Sequence, residues 1–195
     1  MWFWGAMVMA ALLAPSIAKA HPHVEIEVKL ALTVEAGGAQ FLTVEWLFDD
    51  FYSGSILKDY RPVKGKFSGT EIETIRRKQF ENVRQFNYFL QPAYDRGGQI
   101  KLPEVRSFTA RIEGDRVRYV FSVPLPAPKV PTGLTVVVVD PENFIRFIMP
   151  RYLSVAVDGA GKGKFACNRI RAPDIDSPYG VIEPDAMRCA PTGRS

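Results

Sequence analysis

Residues 23–34 read His23-Val24-Glu25-Ile26-Glu27-Val28-Lys29-Leu30-Ala31-Leu32-Thr33-Val34. Apolar side chains fall at the even positions and mainly polar ones at the odd positions. A period of two is the signature of a strand with one buried face. Gly37-Gly38 makes a turn, and Ala39 to Phe48 supplies a second run, so the two are expected to pair as a hairpin.

Beyond the hairpin, Asp49 to Tyr60 mixes aromatic with small residues and is expected to hold a short helix. Ser68-Gly69-Thr70-Glu71 has the spacing of a capping box. Ile72, Ile75, Val83, Phe86 and Leu90 then recur at helical steps with Phe80 beside them, which predicts one apolar stripe on a helix of about five turns. Pro92 and Gly97-Gly98 are expected to end that segment. Val105 to Ile112 and Arg116 to Val123 flank Glu113-Gly114-Asp115, a second hairpin signal. Pro124 to Pro131 is a proline-rich connection, and Leu134 to Val139 is the continuous apolar run of a central strand. Asp140-Pro141-Glu142-Asn143 turns the chain into Phe144 to Met149. Tyr152 to Val157 and Lys164 to Arg171 are expected to form a third hairpin around Gly159-Ala160-Gly161. The pattern predicts an α+β fold, antiparallel sheet(s) of β-hairpins with one long amphipathic helix packed on the sheet. One domain is expected over 21–171, followed by an irregular Pro- and Asp-rich tail over 172–195.

Met1 to Ala20, MWFWGAMVMAALLAPSIAKA, carries an apolar stretch from Ala6 to Leu13, a breaker at Pro15, and Ala18-Lys19-Ala20. The apolar stretch is too short to span a bilayer, which takes about 20 residues. The small residues of the triplet fit a signal-peptidase site, so 1–20 reads as a secretory leader cut after Ala20. The alternative is an uncleaved anchor. Cleavage implies export to a bacterial periplasm, with no stable membrane insertion afterwards. In that compartment Cys167 and Cys189 are expected to pair, against the alternative of two buried thiols.

The 195 residues are 47% hydrophobic and 24% charged, which argues against a disordered chain. The net charge of +4 is spread along the sequence, so no nucleic-acid partner is expected. The motifs G-x-S-x-G, P-loop and H-E-x-x-H are absent, and no enzymatic activity is expected.

Both histidines of the chain, His21 and His23, stand at the expected cleavage point. An N-terminal histidine offers its α-amine and its imidazole to one ion, and His23 projects to the same side in an extended chain. Pro22 has no N–H to lose, which rules out the copper/nickel motif built on deprotonated backbone amides. The chelate would use the amine and two rings, with water or a carboxylate from Glu25, Asp49 or Asp50 completing it. Imidazole suits zinc, copper and nickel alike. The competing reading is a solvated histidine pair.

These residues also carry a family resemblance. His21-Pro22-His23-Val24 after the leader, Trp46-Leu47-Phe48-Asp49-Asp50-Phe51-Tyr52-Ser53, Gly65-Lys66-Phe67-Ser68 with Glu71, Phe86-Asn87-Tyr88-Phe89, and Asp140-Pro141 with Phe144 occur in consistent order. Together they resemble the bacterial periplasmic proteins catalogued as domain of unknown function 1007. Such proteins are often labelled the periplasmic component of an uncharacterised ABC-type transport system, and many occur beside nickel/cobalt or zinc transport genes. The resemblance implies a periplasmic transport component whose metal-site candidates here are His21, His23, Asp49 and Asp50. The implied cofactor is a transition metal ion (zinc, nickel/cobalt or copper), and the implied partner an inner-membrane metal transporter or exporter. Relatives usually have an aromatic or apolar residue in place of Glu25 and a Glu in place of Asp50. Many also carry an acidic loop like an EF-hand before the long helix. Here that loop is Tyr60-Arg61-Pro62-Val63-Lys64-Gly65, whose cations and proline do not suit calcium.

A solute-binding protein that clasps its ligand needs two lobes and a hinge, which a chain of this size with one long helix is not expected to form. A surface metal site is expected instead. Two other readings compete: a protein-interaction module in which Phe48, Phe51 and Tyr52 form a docking surface, and a histidine-brace copper oxidase. The oxidase would need a second imidazole from a distant strand, and the chain has none there.

Overall fold

The computed structural model describes residues 23–35, 38–126, 133–152 and 154–193. The expected leader and His21 lie outside the described residues.

β1 (Val24–Glu35) and β2 (Gly38–Phe48) form the expected antiparallel hairpin, with Ile26 opposite Phe48 and Leu32 opposite Leu42. Every even residue from Val24 to Val34 is buried, and the odd ones remain at least partly exposed. α1 (Asp50–Tyr60) starts on the Asp49 cap and ends where Arg61 turns left-handed at φ 44° and donates its N–H to the Leu57 carbonyl. α1 is fastened to the sheet by Ser53. That buried hydroxyl accepts the Val117 N–H at 2.9 Å.

α2 (Gly69–Ile75) opens on the expected capping box, and both of its hydrogen bonds are made. One long helix does not follow. The chain passes into a wide π-turn over Arg76–Phe80 and a 3-10 stretch over Glu81–Phe89, inside which Asn87 and Tyr88 are left-handed. The Asn87 side chain holds the break: its Nδ2 donates to the Leu90 and Ile100 carbonyls, and its Oδ1 accepts the Leu102 N–H. Phe86 is therefore 49% exposed rather than part of a buried stripe, while Ile75, Phe80 and Leu90 are in the core.

β3 (Leu90–Tyr94) runs through Pro92, where the sequence predicts an end, and pairs with β4 (Gly98–Gln99). β5 (Ser107–Glu113) and β6 (Arg116–Pro124) form the second expected hairpin. β7 (Leu134–Val138) is the expected central strand. β8 (Ile145–Ile148) and β9 (Val155–Asp158) both run parallel to β1, one beside each half of it. β10 (Phe165–Arg171) pairs with β13 (Asp185–Pro191), so the third hairpin expected between residues 152–157 and 164–171 is not formed. The turn expected at Gly159 is present and sits tightly on β1. A side chain there would meet the Val34 carbonyl at 2.5 Å, and φ is +86°. The expected irregular tail is ordered: β11 (Ile175–Ser177) and β12 (Gly180–Ile182) make a small hairpin, and β13 enters a sheet.

One sheet has the order β5-β6-β2-β1-β8, with β9 also on β1, and the other has β10-β13-β7-β3-β4. Buried side chains of both sheets form one cluster, from Leu30, Trp46 and Phe121 to Val136, Leu90 and Met187. The architecture is α+β and mostly antiparallel, with short helical segments in place of the long helix. Cys167 and Cys189 form a disulfide between facing positions of β10 and β13.

Candidate functional site

The candidate site begins where the described chain begins. His23 is exposed at the head of β1, and its N–H donates to the Phe144 carbonyl at 2.9 Å. The two rings lie 4.9 Å apart at 44°. Val24 turns inward, so the His23 and Glu25 side chains share the solvent side of the strand.

Asp49 is held against this strand end. Its Oδ1 accepts the Tyr52 N–H at 2.7 Å, which caps α1. Its Oδ2 accepts the Glu25 N–H at 2.7 Å. Asp49 therefore has structural work at both oxygens. Asp50 projects outward with a side chain 88% exposed, and its Oδ1 is 3.8 Å from Arg116 Nε. Arg116 is engaged more closely by Glu27 at 2.7 Å and by the Phe48 carbonyl at 2.6 Å. Glu25 pairs with Arg146 at 3.6 Å. Among the described residues no group of three or more His, Cys, Asp or Glu side chains is placed to hold a metal ion. Of the expected donors, the His23 ring and the candidate carboxylates of Asp49 and Asp50 lie among the described residues, and the amine and ring of His21 lie outside them.

The segment Tyr60 to Gly65 ends in a tight turn at Lys64 and Gly65, both left-handed, closed by a bridge between Val63 and Lys66. Glu71 is accounted for by the helix cap: its Oε2 accepts the Ser68 N–H at 2.6 Å, which holds its carboxyl below the usual range.

Of the three aromatics expected to form a docking surface, Phe48 is buried against Tyr119 at 4.7 Å, Tyr52 packs on Phe48 at 4.9 Å, and Phe51 alone is open, 85% exposed. Beneath them lies a feature the sequence did not announce, a cavity of about 100 Å³. Val24, Trp46, Phe48, Phe89, Tyr119 and Phe144 supply much of its wall. Burial pushes the Tyr119 hydroxyl well above its usual range, so it stays protonated, and it donates to Gln79 Oε1 at 2.9 Å. Burial also raises Tyr52, and the nearby Tyr60 adds to the effect. The density of aromatics between Trp46 and Tyr52 was the available signal, but strand parity alone does not reveal a void.

A wider cleft of about 610 Å³ lies between β8 and the β10–β13 side. Most of its charges are matched from within, while Arg146 pairs outside it with Glu25 at 3.6 Å. Arg169 meets Asp185 at 2.6 Å, Arg171 meets Glu183 at 3.0 Å, and Asp140 accepts the N–H groups of Glu142, Phe144 and Ile145.

Among the described residues no helix is long and apolar enough to cross a membrane. The disulfide points to an oxidising, extracytoplasmic environment. No curated protein matches the chain. A family model described as "Protein of unknown function (DUF1007)" matches residues 6–181, most of its length. With the hairpin, the capped turn at Ser68 and the Asp140 turn all inside that span, the chain belongs to the DUF1007 family.

Proposed function

We propose that this is a periplasmic accessory protein of a metal transport system, which binds one transition metal ion at its processed amino terminus. The donors are the His21 α-amine and the imidazoles of His21 and His23, with a carboxylate or water completing the set. Zinc, copper, nickel and cobalt are all candidates for such nitrogen donors. The protein passes the ion to an inner-membrane transporter or exporter, or receives it from one. It acts as a carrier, not as an enzyme.

The observation that supports this reading is the position of His23. It is exposed while its own N–H is tied to Phe144 and the next residue enters the core. The ring is thus carried beside a strand end that is fastened through the His23 N–H, immediately after His21-Pro22. An anchored donor lowers the entropy cost of bringing donors together. Titration of the processed protein with zinc, copper and nickel, beside His23→Ala, tests the reading. Saturable binding of one ion that weakens in the variant supports it, and absence of binding by the processed protein rejects it.

A second reading, a protein-interaction module, draws support from Phe51, an aromatic ring 85% exposed on the first turn of α1. Phe51→Ser would leave metal binding intact and weaken partner capture if that reading holds.

A further inference from the structure

We infer that the aromatic cavity beneath the start of β1 is a binding site for a small neutral aromatic ligand bearing one hydrogen-bond acceptor. This inference is independent of the metal site. Its first ground is the wall. Trp46, Phe48, Phe89, Tyr119 and Phe144 present rings, Val24 adds a branched aliphatic face, and among the described residues no Asp, Glu, Lys, Arg or His lines the space. An ionic ligand would lose its hydration there with no counter-charge to replace it. A planar apolar ligand gains edge-to-face contacts.

The second ground is a donor left over. Trp46 is 3% exposed, and its Nε1–H is the buried side-chain polar atom that lacks a hydrogen-bond partner among the described residues. A buried indole N–H ordinarily finds an acceptor. The core side offers it rings, with Phe121 at 4.9 Å and 80° and Phe80 at 6.0 Å. At the same wall the Tyr119 hydroxyl already donates to Gln79 at 2.9 Å, and the Tyr52 hydroxyl borders the space as well. The rest of the lining is apolar, which suits an aromatic body. A ligand acceptor on an aromatic body meets both conditions at once.

Size sets the limit. The cavity is about 100 Å³, and an apolar cavity of about 150 Å³ is known to take benzene. A single ring with one small substituent therefore fits only if it reaches toward the rim, where Phe144 is 46% exposed.

The test uses the exported protein and two uncharged isosteres, benzonitrile, whose nitrile nitrogen accepts a hydrogen bond, and phenylacetylene, which lacks that acceptor. The readout is the indole N–H resonance of Trp46, identified by its loss in Trp46→Phe. Benzonitrile is expected to shift it saturably, and phenylacetylene to bind about tenfold more weakly, as loss of one hydrogen bond implies. Val83→Phe, which fills the cavity from a half-buried wall position, is expected to abolish the shift while Trp46 stays in place. Absence of a saturable shift, equal affinities for the two probes, or binding retained in a folded Val83→Phe would each overturn the inference.

Discussion

Asp49 and Glu25 hold each other by two hydrogen bonds of opposite direction. Asp49 Oδ2 accepts the Glu25 N–H at 2.7 Å, and the Asp49 N–H donates to the Glu25 carbonyl at 2.9 Å. The second carboxylate oxygen caps α1. One side chain thus ties the first strand, the end of the second and the first helix beside the point where the described chain begins. Asp49→Ala removes the cap and the tie and is expected to cost about 2 kcal/mol. Asp49→Asn keeps an acceptor and should cost less. Urea unfolding of the three proteins checks this, and an unchanged midpoint for Asp49→Ala would contradict it.

Cys167 and Cys189 face each other across β10 and β13, and Cys189 is fully buried. The bridge ties β10, at the edge of its sheet, to an interior strand, and its partners are 22 residues apart. Reduction is expected to cost about 3 kcal/mol in the chain-entropy account. Neither cysteine of the unreduced protein should react with an alkylating agent, and both should react once it is reduced. Labelling without reductant would refute the bridge.

Arg118 is buried, with 4% of its side chain exposed, between Glu113, which it grips at 2.6 and 3.0 Å, and Glu45 at 3.0 Å. Arg118→Ala removes the hydrogen-bonded cation of Glu113 while Glu45 keeps Arg111 at 3.5 Å, and is expected to cost about 2 kcal/mol. The Arg118 guanidinium holds the Glu113 carboxyl below its ordinary value of 4.5. A lowered folded-state pKa stabilises the protein in full above the unfolded value, and that contribution is lost as pH falls through the folded one. Glu113→Gln should therefore flatten the acid limb of the stability curve below about pH 4.5. An acid limb identical to that of the parent protein would show that the pair contributes nothing there.

Ser68 Oγ accepts the Glu71 N–H at 3.2 Å. Ser68→Ala is expected to lower stability by about 1 kcal/mol, and Glu71→Gln by less, since Gln also completes a capping box. Thermal unfolding of the two variants distinguishes them, and the reverse order would contradict the cap assignment.

What was legible in the sequence was what local periodicity encodes. The alternation from Val24 to Val34 set the first strand, Glu113-Gly114-Asp115 marked a hairpin, and Ser68 with Glu71 marked a helix start. The helical period from Ile72 to Leu90 misled, because the break is made by Asn87 reaching the backbone of Leu90, Ile100 and Leu102, contacts that no spacing rule contains. Pro92 reads as a stop, yet it fits β3. It lies opposite Val136 of β7, and its carbonyl accepts the Ile100 N–H on the other side, just past the two residues of β4. Its missing N–H falls on that same side, where no ladder bond is broken. The parallel pairing of β8 and β9 with β1 depends on long crossovers, and composition hid β13, whose buried Ala186, Met187 and Cys189 follow a Pro-rich stretch. At the candidate site, the sequence singled out His23 and Asp49. Asp49's double hydrogen bonding and the cavity beside Trp46 arise from tertiary packing.

The central claim is that the metal site is made by processing, since only a free His21 amine can join its own ring in one chelate. That amine has an ordinary pKa of about 7.7–8.0 and imidazole about 6.5, so binding displaces protons and should strengthen as pH rises from about 6 to 8. The most direct measurement compares metal affinity of the protein beginning at His21 with that of a version carrying one additional Ala in front. The extension keeps both imidazoles and turns the His21 amine into an amide. The account predicts an affinity at least about tenfold weaker for the extended protein, or about 1.4 kcal/mol. Equal affinities would remove the amine from the site, and no binding of zinc, copper or nickel by either protein would contradict the account altogether.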